Sequence, residues 1–226
     1  FLHGFKINYF GTPTLCSTHN HPSASVHRDV VEKKLKKELS LGRIAGPFSS
    51  PPFPNYQSSP LGVVAKKEPN AFRIIHDLSY PQGTSINECI PKEFTTVTYE
   101  NLDHVISLLS QFGRGALIGK TDIEDAFRII PIHPSCYHLF GFTWASSFFY
   151  DRCLPMGCAE SCRIFERLSC ALQWVLQTRG AIAVSHILDD FIFMGPPDST
   201  RCLQDLNRFL DLARELSIPI KHEKTC

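Results

Sequence analysis

Two aspartates stand alone between two apolar runs in the last quarter of the sequence. The runs are Ile187-Leu188 and Phe191-Ile192-Phe193, and only Asp189-Asp190 separates them. This pattern is typical of a tight β-hairpin whose turn tolerates positive φ, a conformation that Asp accepts more readily than most residues. An acidic turn without chemical function has the same pattern, so the pair alone assigns no activity.

A third aspartate follows another apolar run. Asp122 comes directly after the β-like residues 116–121. If the two strands are neighbours in one sheet, Asp122 and Asp189 converge at one end of it. Carboxylates placed together repel one another, and burying them costs several kcal/mol unless cations share the site.

The donor atoms indicate which cations these would be. Carboxylate oxygens with few histidines nearby favour Mg²⁺ or Mn²⁺ over Zn²⁺. Two such ions about 3.5–4 Å apart can activate an attacking hydroxyl and hold the leaving oxygen of a transferred phosphoryl group. The acids therefore indicate nucleotidyl transfer, although nuclease and phosphatase chemistry is also compatible with their spacing.

Helices and β-hairpins alternate around these acids. Apolar residues at helical spacing predict helices over residues 26–40, 98–112, 158–178 and 203–213. β-like runs predict three hairpins, built from residues 61–65 with 72–78, 137–142 with 148–153, and 182–188 with 191–194. The proline-rich residues 47–54 are incompatible with a helix or a central strand and predict an ordered loop or short linker. Interspersed helices and hairpins predict an α+β fold with an antiparallel sheet.

Composition limits the binding partners and the cellular compartment that we expect for the protein. The 226 residues carry a net charge of +1, which gives no overall attraction toward nucleic acid or an anionic membrane. Six basic residues between Arg28 and Arg43 are the one local exception, and they predict a solvated, positively charged helix face. The nine cysteines form no Cys-x-x-Cys pair, which predicts buried thiols in a reducing, intracellular compartment, cytoplasm or nucleus, rather than a secreted protein. The sequence contains no long apolar run and no initiator Met, and we expect a non-membrane piece of a longer chain.

Four residues of the second half of the sequence offer zinc-ligating atoms. Cys153, Cys158 and Cys162 together with His186 offer soft ligands, but their spacing matches no familiar zinc module. We therefore expect no zinc site from these four residues.

Seven short motifs follow one another in a fixed order along the sequence. They are residues 42–48 (GRIAGPF), 59–67 (SPLGVVAKK), 72–80 (FRIIHDLSY), 121–128 (TDIEDAFR), 154–157 (LPMG), 188–190 (LDD) and 218–225 (IPIKHEKT). This ordered series resembles the reverse transcriptases, in particular those of tyrosine-recombinase retrotransposons of the DIRS and Ngaro type. The resemblance covers residues 26–226, and the order of the motifs is more specific than any single motif.

The resemblance implies a role for each acidic residue. Asp122 and Asp189 would bind two Mg²⁺ or Mn²⁺ ions, with the Ile123 carbonyl as a further ligand and Asp190 assisting from the side.

The resemblance also implies substrate-binding residues. Lys66 or Lys67 and Arg73 would clamp the incoming triphosphate, since Arg offers a planar fork for phosphate or base. Met156 and Gly157 would lie in the turn that faces template and nucleotide. Hairpin-tip lysines are commonly only solvated charges, and a strand arginine is commonly only a surface residue.

Phe127 occupies the position of the aromatic steric gate of the family. A ring there would exclude a 2′-hydroxyl, because a tight apolar pocket offers neither room nor a hydrogen-bond partner. Deoxynucleotides are therefore the expected substrate, and an RNA polymerase of similar fold is disfavoured. Two residues depart from the family pattern: Met156 replaces a frequent Gln, and Ile187 replaces a common aromatic residue.

The resemblance implies a polymerase-type palm, an antiparallel sheet packed on helices, with fingers and no thumb before Cys226. The expected bounds are residues 1–87 and 130–157 for the fingers and 88–129 and 158–226 for the palm. The expected function is RNA-directed DNA polymerase activity on an RNA or DNA template with a DNA primer and deoxynucleoside triphosphates. Ribonuclease H would lie elsewhere in the parent polyprotein. The alternative is an inactive retroelement remnant that binds nucleic acid or a protein partner.

Overall fold

The computed structural model describes residues 3–13, 15–67 and 69–226. Its helices are α1 (Pro22–Val26), α2 (Arg28–Ser40), α3 (Leu102–Phe112), α4 (Ser161–Thr178) and α5 (Arg201–Glu215). Its strands are β1 (Ile44–Phe48), β2 (Leu61–Ala65), β3 (Phe72–His76), β4 (Leu117–Asp122), β5 (Gly141–Trp144), β6 (Ser147–Asp151), β7 (Val184–Ile187) and β8 (Asp190–Gly195). Short 3₁₀ helices lie at Asn87–Cys89, Lys92–Phe94, Ala126–Ile129, Pro134–Leu139 and His222–Lys224.

The chain divides into two compact units. Unit 1 contains residues 1–96 and 127–161, and unit 2 contains residues 97–126 and 162–226. All strand pairs within the named sheets are antiparallel. This is the α+β fold with antiparallel sheets that the sequence predicted. The assignment of the names fingers and palm to residue ranges stays a prediction.

Unit 1 contains a three-stranded sheet in the order β1-β6-β5 and the separate hairpin β2–β3. In its core, α1 and α2 pack against the three-stranded sheet and the hairpin. The buried residues of this core include Ala24, Val31, Leu61 and Phe142. The apolar stripe of the first predicted helix therefore covers the strands.

Unit 2 is a three-stranded sheet in the order β4-β8-β7, covered on both faces. Successive residues of β8 point to opposite faces. Met194 packs against Val105 of α3, whereas Phe193 lies 5.7 Å from the ring of Phe209 in α5. The two helices thus bury opposite faces of β8, and the polar end of the sheet at Asp122 carries the candidate site.

Three local predictions differ from the structure. The helix predicted from residue 26 is interrupted at His27, whose ring packs 4.3 Å from Phe72 and whose backbone leaves the helical region. The strand predicted over residues 137–142 begins only at Gly141, because Pro134–Leu139 forms a 3₁₀ helix with His133 at its N-cap. The loop predicted from residue 47 begins later, because Pro47 and Phe48 belong to β1. Since β1 is an edge strand, the N–H group that proline lacks can be missing without the loss of a hydrogen bond between strands.

None of the helices in the described parts of the chain combines the length and the apolar character needed to cross a lipid bilayer. The nine cysteines, all of them within the described residues, are free thiols.

Candidate active site

Two of the three aspartates lie directly opposite each other at one end of the unit 2 sheet. Asp122 is the last residue of β4 and Asp190 the first residue of β8, and the antiparallel register pairs them. Residues paired in this way project from the same face of a sheet. Asp122 is 6% exposed, whereas Asp190 is exposed to solvent. The pairing places the two aspartates side by side in the sheet, one of them buried.

The third aspartate lies in the adjoining turn. Ile187 pairs with Asp190, so the hairpin loop consists of Leu188 and Asp189. The sequence predicted an Asp-Asp turn, but Asp190 is already part of β8. The positive φ of the turn belongs to Leu188, at 53°, a value that is unfavourable for a residue with a branched side chain.

Helix α4 holds this turn from one side. The Leu188 N–H donates to Oε2 of buried Glu166 at 3.2 Å, and Oγ of Ser169 donates to the Leu188 carbonyl at 2.7 Å. From the other side, the Ile123 N–H donates to the Asp189 carbonyl at 3.0 Å. These three bonds satisfy the polar backbone of the turn and fix the direction in which it leaves β7.

The C-terminal segment supplies a cation to the cluster. Ile220 forms an isolated antiparallel β-bridge with Ile123. The Lys221 N–H donates to the Asp122 carbonyl at 2.9 Å, and these contacts align residues 218–225 beside β4. The Lys224 ammonium then donates to Oδ2 of Asp122. This bond and the neighbouring acids raise the pKa of Lys224 above its ordinary value.

The environment of Asp189 shifts the pKa of its carboxyl group. Burial raises the pKa of Asp189 above its ordinary value. The negative charges of Asp122 and Asp190 raise it further, while a hydrogen bond from its own backbone and the charge of Lys224 oppose the shift. A cation bound between the acids would remove this repulsion.

The donor set fits hard divalent cations. Asp122, Asp189 and Asp190 offer only carboxylate oxygens, the ligands that Mg²⁺ and Mn²⁺ prefer. Lys224 already contacts Asp122, so the cluster is built to accept positive charge. Ile123 is 1% exposed, and a role for its carbonyl as a metal ligand stays a prediction.

Comparison with solved structures identifies the fold. No family model matches the sequence, and no curated protein does. Prototype foamy virus protease-reverse transcriptase, solved as its CSH mutant, superposes with a TM-score of 0.73 at 19% identity over 98% of this chain. The foamy viral enzyme in complex with dsDNA gives 0.69 at 18% identity over 96% of the chain, and the same enzyme with an RNA/DNA hybrid gives 0.69 at 17% over 98%. The chain spans 27%, 40% and 27%, respectively, of those three chains.

The chain has a reverse transcriptase fold. At 17–19% identity the likeness extends to the fold alone, so the roles of individual residues rest on the geometry of this chain.

Within this reverse transcriptase fold, the predicted basic residues share one hairpin of unit 1. Lys66 and Lys67 follow β2 and are exposed. Arg73 lies on β3 opposite Val64, and both are exposed. The three cations therefore face solvent from a single hairpin.

Phe127, the predicted gate, begins the second segment of unit 1 and is half-buried in the 3₁₀ helix Ala126–Ile129. Its carbonyl accepts the Ile130 N–H at 3.1 Å. The next residue, Arg128, is bound to Glu38 and Asp151, which anchors the backbone on which Phe127 stands.

Met156 and Gly157 lie in a tight loop of the same unit. Met156 is 54% exposed. A Cβ at Gly157 would lie 2.0 Å from the carbonyl oxygen of His76, so no other residue fits without a backbone shift. The Asn87 side chain fastens this loop by donating to the Gly157 carbonyl and accepting the Ala159 N–H, both at 2.8 Å.

Sequence reasoning did not single out three residues of the site. Lys224 lay inside a segment that carried the resemblance, but nothing in its spacing showed that it would reach Asp122. Glu166 and Ser169 lie three residues apart on α4, a spacing that places both on one helix face without indicating what they bind.

Proposed function

We propose that this chain is the polymerase region of a retrotransposon reverse transcriptase, similar to tyrosine-recombinase elements of the DIRS and Ngaro type. It would add deoxynucleotides to a primer 3′-hydroxyl on an RNA or DNA template. The observation that carries the proposal is the pairing of Asp122 with Asp190, with Asp189 in the adjoining turn, at the end of a sheet in a reverse transcriptase fold.

The three acids would share the work of holding Mg²⁺ or Mn²⁺. Asp122 and Asp189 would bind two ions together with the Ile123 carbonyl, and exposed Asp190 would assist from the side. When bound, the two ions would activate the primer hydroxyl and stabilise the leaving pyrophosphate. The chain itself would position the metal ligands. Asp122 is held by burial, and Asp189 is held by the hydrogen bonds of the turn.

The substrate-binding roles belong to unit 1. We assign phosphate binding to Lys66, Lys67 and Arg73, because these exposed cations on one hairpin are accessible to a triphosphate and can hydrogen-bond to its oxygens. Half-buried Phe127 would exclude the ribose 2′-hydroxyl. Met156 and Gly157 would support template and nucleotide from their loop.

A primer-extension assay tests this function. A DNA primer on an RNA template is extended in Mg²⁺ or Mn²⁺ by the wild type, by Asp189→Asn and by Asp198→Asn. Asp198 is exposed and has a φ of 56°, which Asn tolerates equally well, so it provides a matched control for the loss of one carboxylate. We expect Asp189→Asn to lower the extension rate by about 100-fold or more, because a ligand of both ions is lost. The control should keep the wild-type rate.

Two outcomes would contradict the proposal. Equal extension by the wild type and Asp189→Asn would remove the acids from the mechanism. Binding of an RNA/DNA hybrid without extension by any of the three proteins would favour the inactive remnant.

A further inference from the structure

A second group of metal-ligating side chains lies on the other side of the Leu188–Asp189 turn, within unit 2. Glu166 and Cys170 come from α4 and His186 from β7. One ligand atom from each lies within 4.8 Å of the others. Glu166 and His186 are buried, whereas Cys170 is exposed, so the group can be reached from solvent.

Helix periodicity brings the first two ligands together. Glu166 and Cys170 are four residues apart, so they project from the same face of α4, one turn above the other. His186 sits on the strand beneath that face, with its ring 5.2 Å from Phe191. The side chains therefore converge from two rigid elements rather than from loops.

The hydrogen bonds of Gln173 determine which nitrogen of His186 faces this group. Nε2 of Gln173 donates to Oε1 of Glu100, a carboxylate that can only accept, which orients the amide. The amide oxygen Oε1 of Gln173 therefore accepts from Nδ1 of His186. Nδ1 must carry the proton of a neutral ring, and Nε2 is left with its lone pair toward Glu166 and Cys170. This is the arrangement in which proteins hold metal-ligating histidines.

The distances favour a shared metal over a direct ion pair. Nε2 of His186 lies 3.3 Å from Oε1 of Glu166 and 3.8 Å from Sγ of Cys170. A charge-assisted hydrogen bond between nitrogen and carboxylate is shorter, at about 2.7–2.9 Å. A tetrahedral Zn²⁺ with bonds of about 2.0 Å to N or O and about 2.3 Å to S separates such atoms by about 3.3 and about 3.5 Å.

We propose that Glu166, Cys170 and His186 form a zinc site with a fourth position open to solvent. A thiolate and an imidazole select Zn²⁺ over the oxygen-seeking Mg²⁺. The metal would tie α4 to β7 two residues before the turn, and Glu166 would link it to the Leu188 N–H through its other oxygen. The site does not depend on the proposed polymerase function.

Spectroscopic titration with Co²⁺ as the probe tests the site. A Co²⁺–thiolate bond gives a sulfur-to-metal charge-transfer band, whereas Co²⁺ held only by the oxygens of Asp122 and Asp189 gives none. We expect the reduced wild-type protein to develop this band with one equivalent of Co²⁺ and to lose it when Zn²⁺ is added. Cys170→Ser should lack the band, and Cys226→Ser should keep it as a control for an exposed cysteine elsewhere.

A second variant tests the orientation of His186. Gln173→Ala removes the acceptor of its Nδ1 proton, and we expect the affinity for Co²⁺ to fall about 10- to 100-fold while the band remains. Circular dichroism checks that the variant is folded. The proposal is overturned if the wild type gives no charge-transfer band at stoichiometric Co²⁺. It is equally overturned if Cys170→Ser gives the wild-type band, which would indicate adventitious binding at other thiols.

Discussion

At the scale of single residues, Lys224 offsets part of the charge of the acid cluster. Its ammonium group contacts Asp122, and the charges of Asp190 and Asp189 add to the attraction. A divalent cation at Asp122 would compete with this contact, because both need the same carboxylate. Lys224 would therefore weaken the binding of a divalent cation by the acids.

Replacing Lys224 with Met should expose this competition. The variant keeps the aliphatic stem but leaves the three acids to repel one another, so its melting temperature should fall without divalent ions. Mg²⁺ should then raise the melting temperature of Lys224→Met by more than it raises that of the wild type, as thermal denaturation will show. Lys221→Met, on the same segment, should respond as the wild type does. An equal Mg²⁺ response in both variants and the wild type would contradict a cation site at Asp122.

The proposed gate role of Phe127 makes a prediction about sugar selection. Phe127→Ala opens the space that its ring fills, so we expect ribonucleotides to be incorporated more readily relative to deoxynucleotides. The ratio of kcat/KM for a matched dNTP and rNTP measures this. Phe94→Ala removes another half-buried ring of unit 1 and should leave the ratio unchanged. Unchanged discrimination in Phe127→Ala would remove the gate role.

At the scale of elements, α4 is the support of the hairpin that carries Asp189 and Asp190. The Leu188 backbone is bound at both its N–H and its carbonyl by side chains of this helix. A turn with a positive φ at a leucine persists because these contacts offset its cost. The position of Asp189 is therefore determined as much by α4 as by the strands.

Ser169→Ala tests this support. Removing the hydroxyl leaves the Leu188 carbonyl without its donor, and the free energy of unfolding should fall by about 0.5–1.5 kcal/mol. Chemical denaturation measures the change. Ser40→Ala removes an exposed hydroxyl that donates to the Lys37 carbonyl, and it should cost less. If the two variants lose the same free energy of unfolding, the hydrogen bond from Ser169 to the turn contributes no more than an exposed one.

The loop at Gly157 is constrained by contact rather than by charge. A methyl group at this position meets the His76 carbonyl, so Gly157→Ala should destabilise the protein by about 1–3 kcal/mol. Met156→Ala removes an exposed neighbour and should change stability by less than about 0.5 kcal/mol. Thermal and chemical denaturation will measure both. Wild-type stability in Gly157→Ala would show that the loop can shift freely.

At the scale of the whole molecule, unit 1 is organised around a buried ionic network. Arg128 binds Asp151 at 2.7 Å and Glu38 at 2.9 Å, and His76 lies 3.0 Å from the second oxygen of Asp151. Burial alone would raise the pKa of Asp151, but the Arg128 guanidinium and the His76 hydrogen bond hold it below the ordinary value of 3.8. Removing one member of such a network leaves uncompensated buried charge.

This network predicts an acid dependence of stability. Because the pKa of folded Asp151 is lowered, its contribution is present above pH 3.8 and is lost as pH falls through the depressed folded value. Asp151→Asn should cost about 3–5 kcal/mol near neutral pH. The difference from the wild type should shrink as denaturation is repeated at successively lower pH below 3.8.

A surface ion pair of the same unit provides the control. Glu32 is paired with Arg28 on exposed α2, and Glu32→Gln should cost at most about 1 kcal/mol at neutral pH. A constant gap between Asp151→Asn and the wild type across the acid series would show that ionised Asp151 does not stabilise the fold.

The sequence by itself determined the fold class, the presence of the hairpins and the position of aspartates at the ends of two apolar runs. Alternating apolar residues in strands and apolar stripes on helices are local signals that a sequence displays directly. Two of the predicted strands end in aspartates, and these ends come together if both strands belong to one sheet. The tertiary structure alone decided that Leu188 rather than an aspartate takes the positive φ, that Lys224 reaches Asp122, and that Glu166 and His186 face each other. Those outcomes depend on packing between segments 19 to 102 residues apart, which no local pattern encodes.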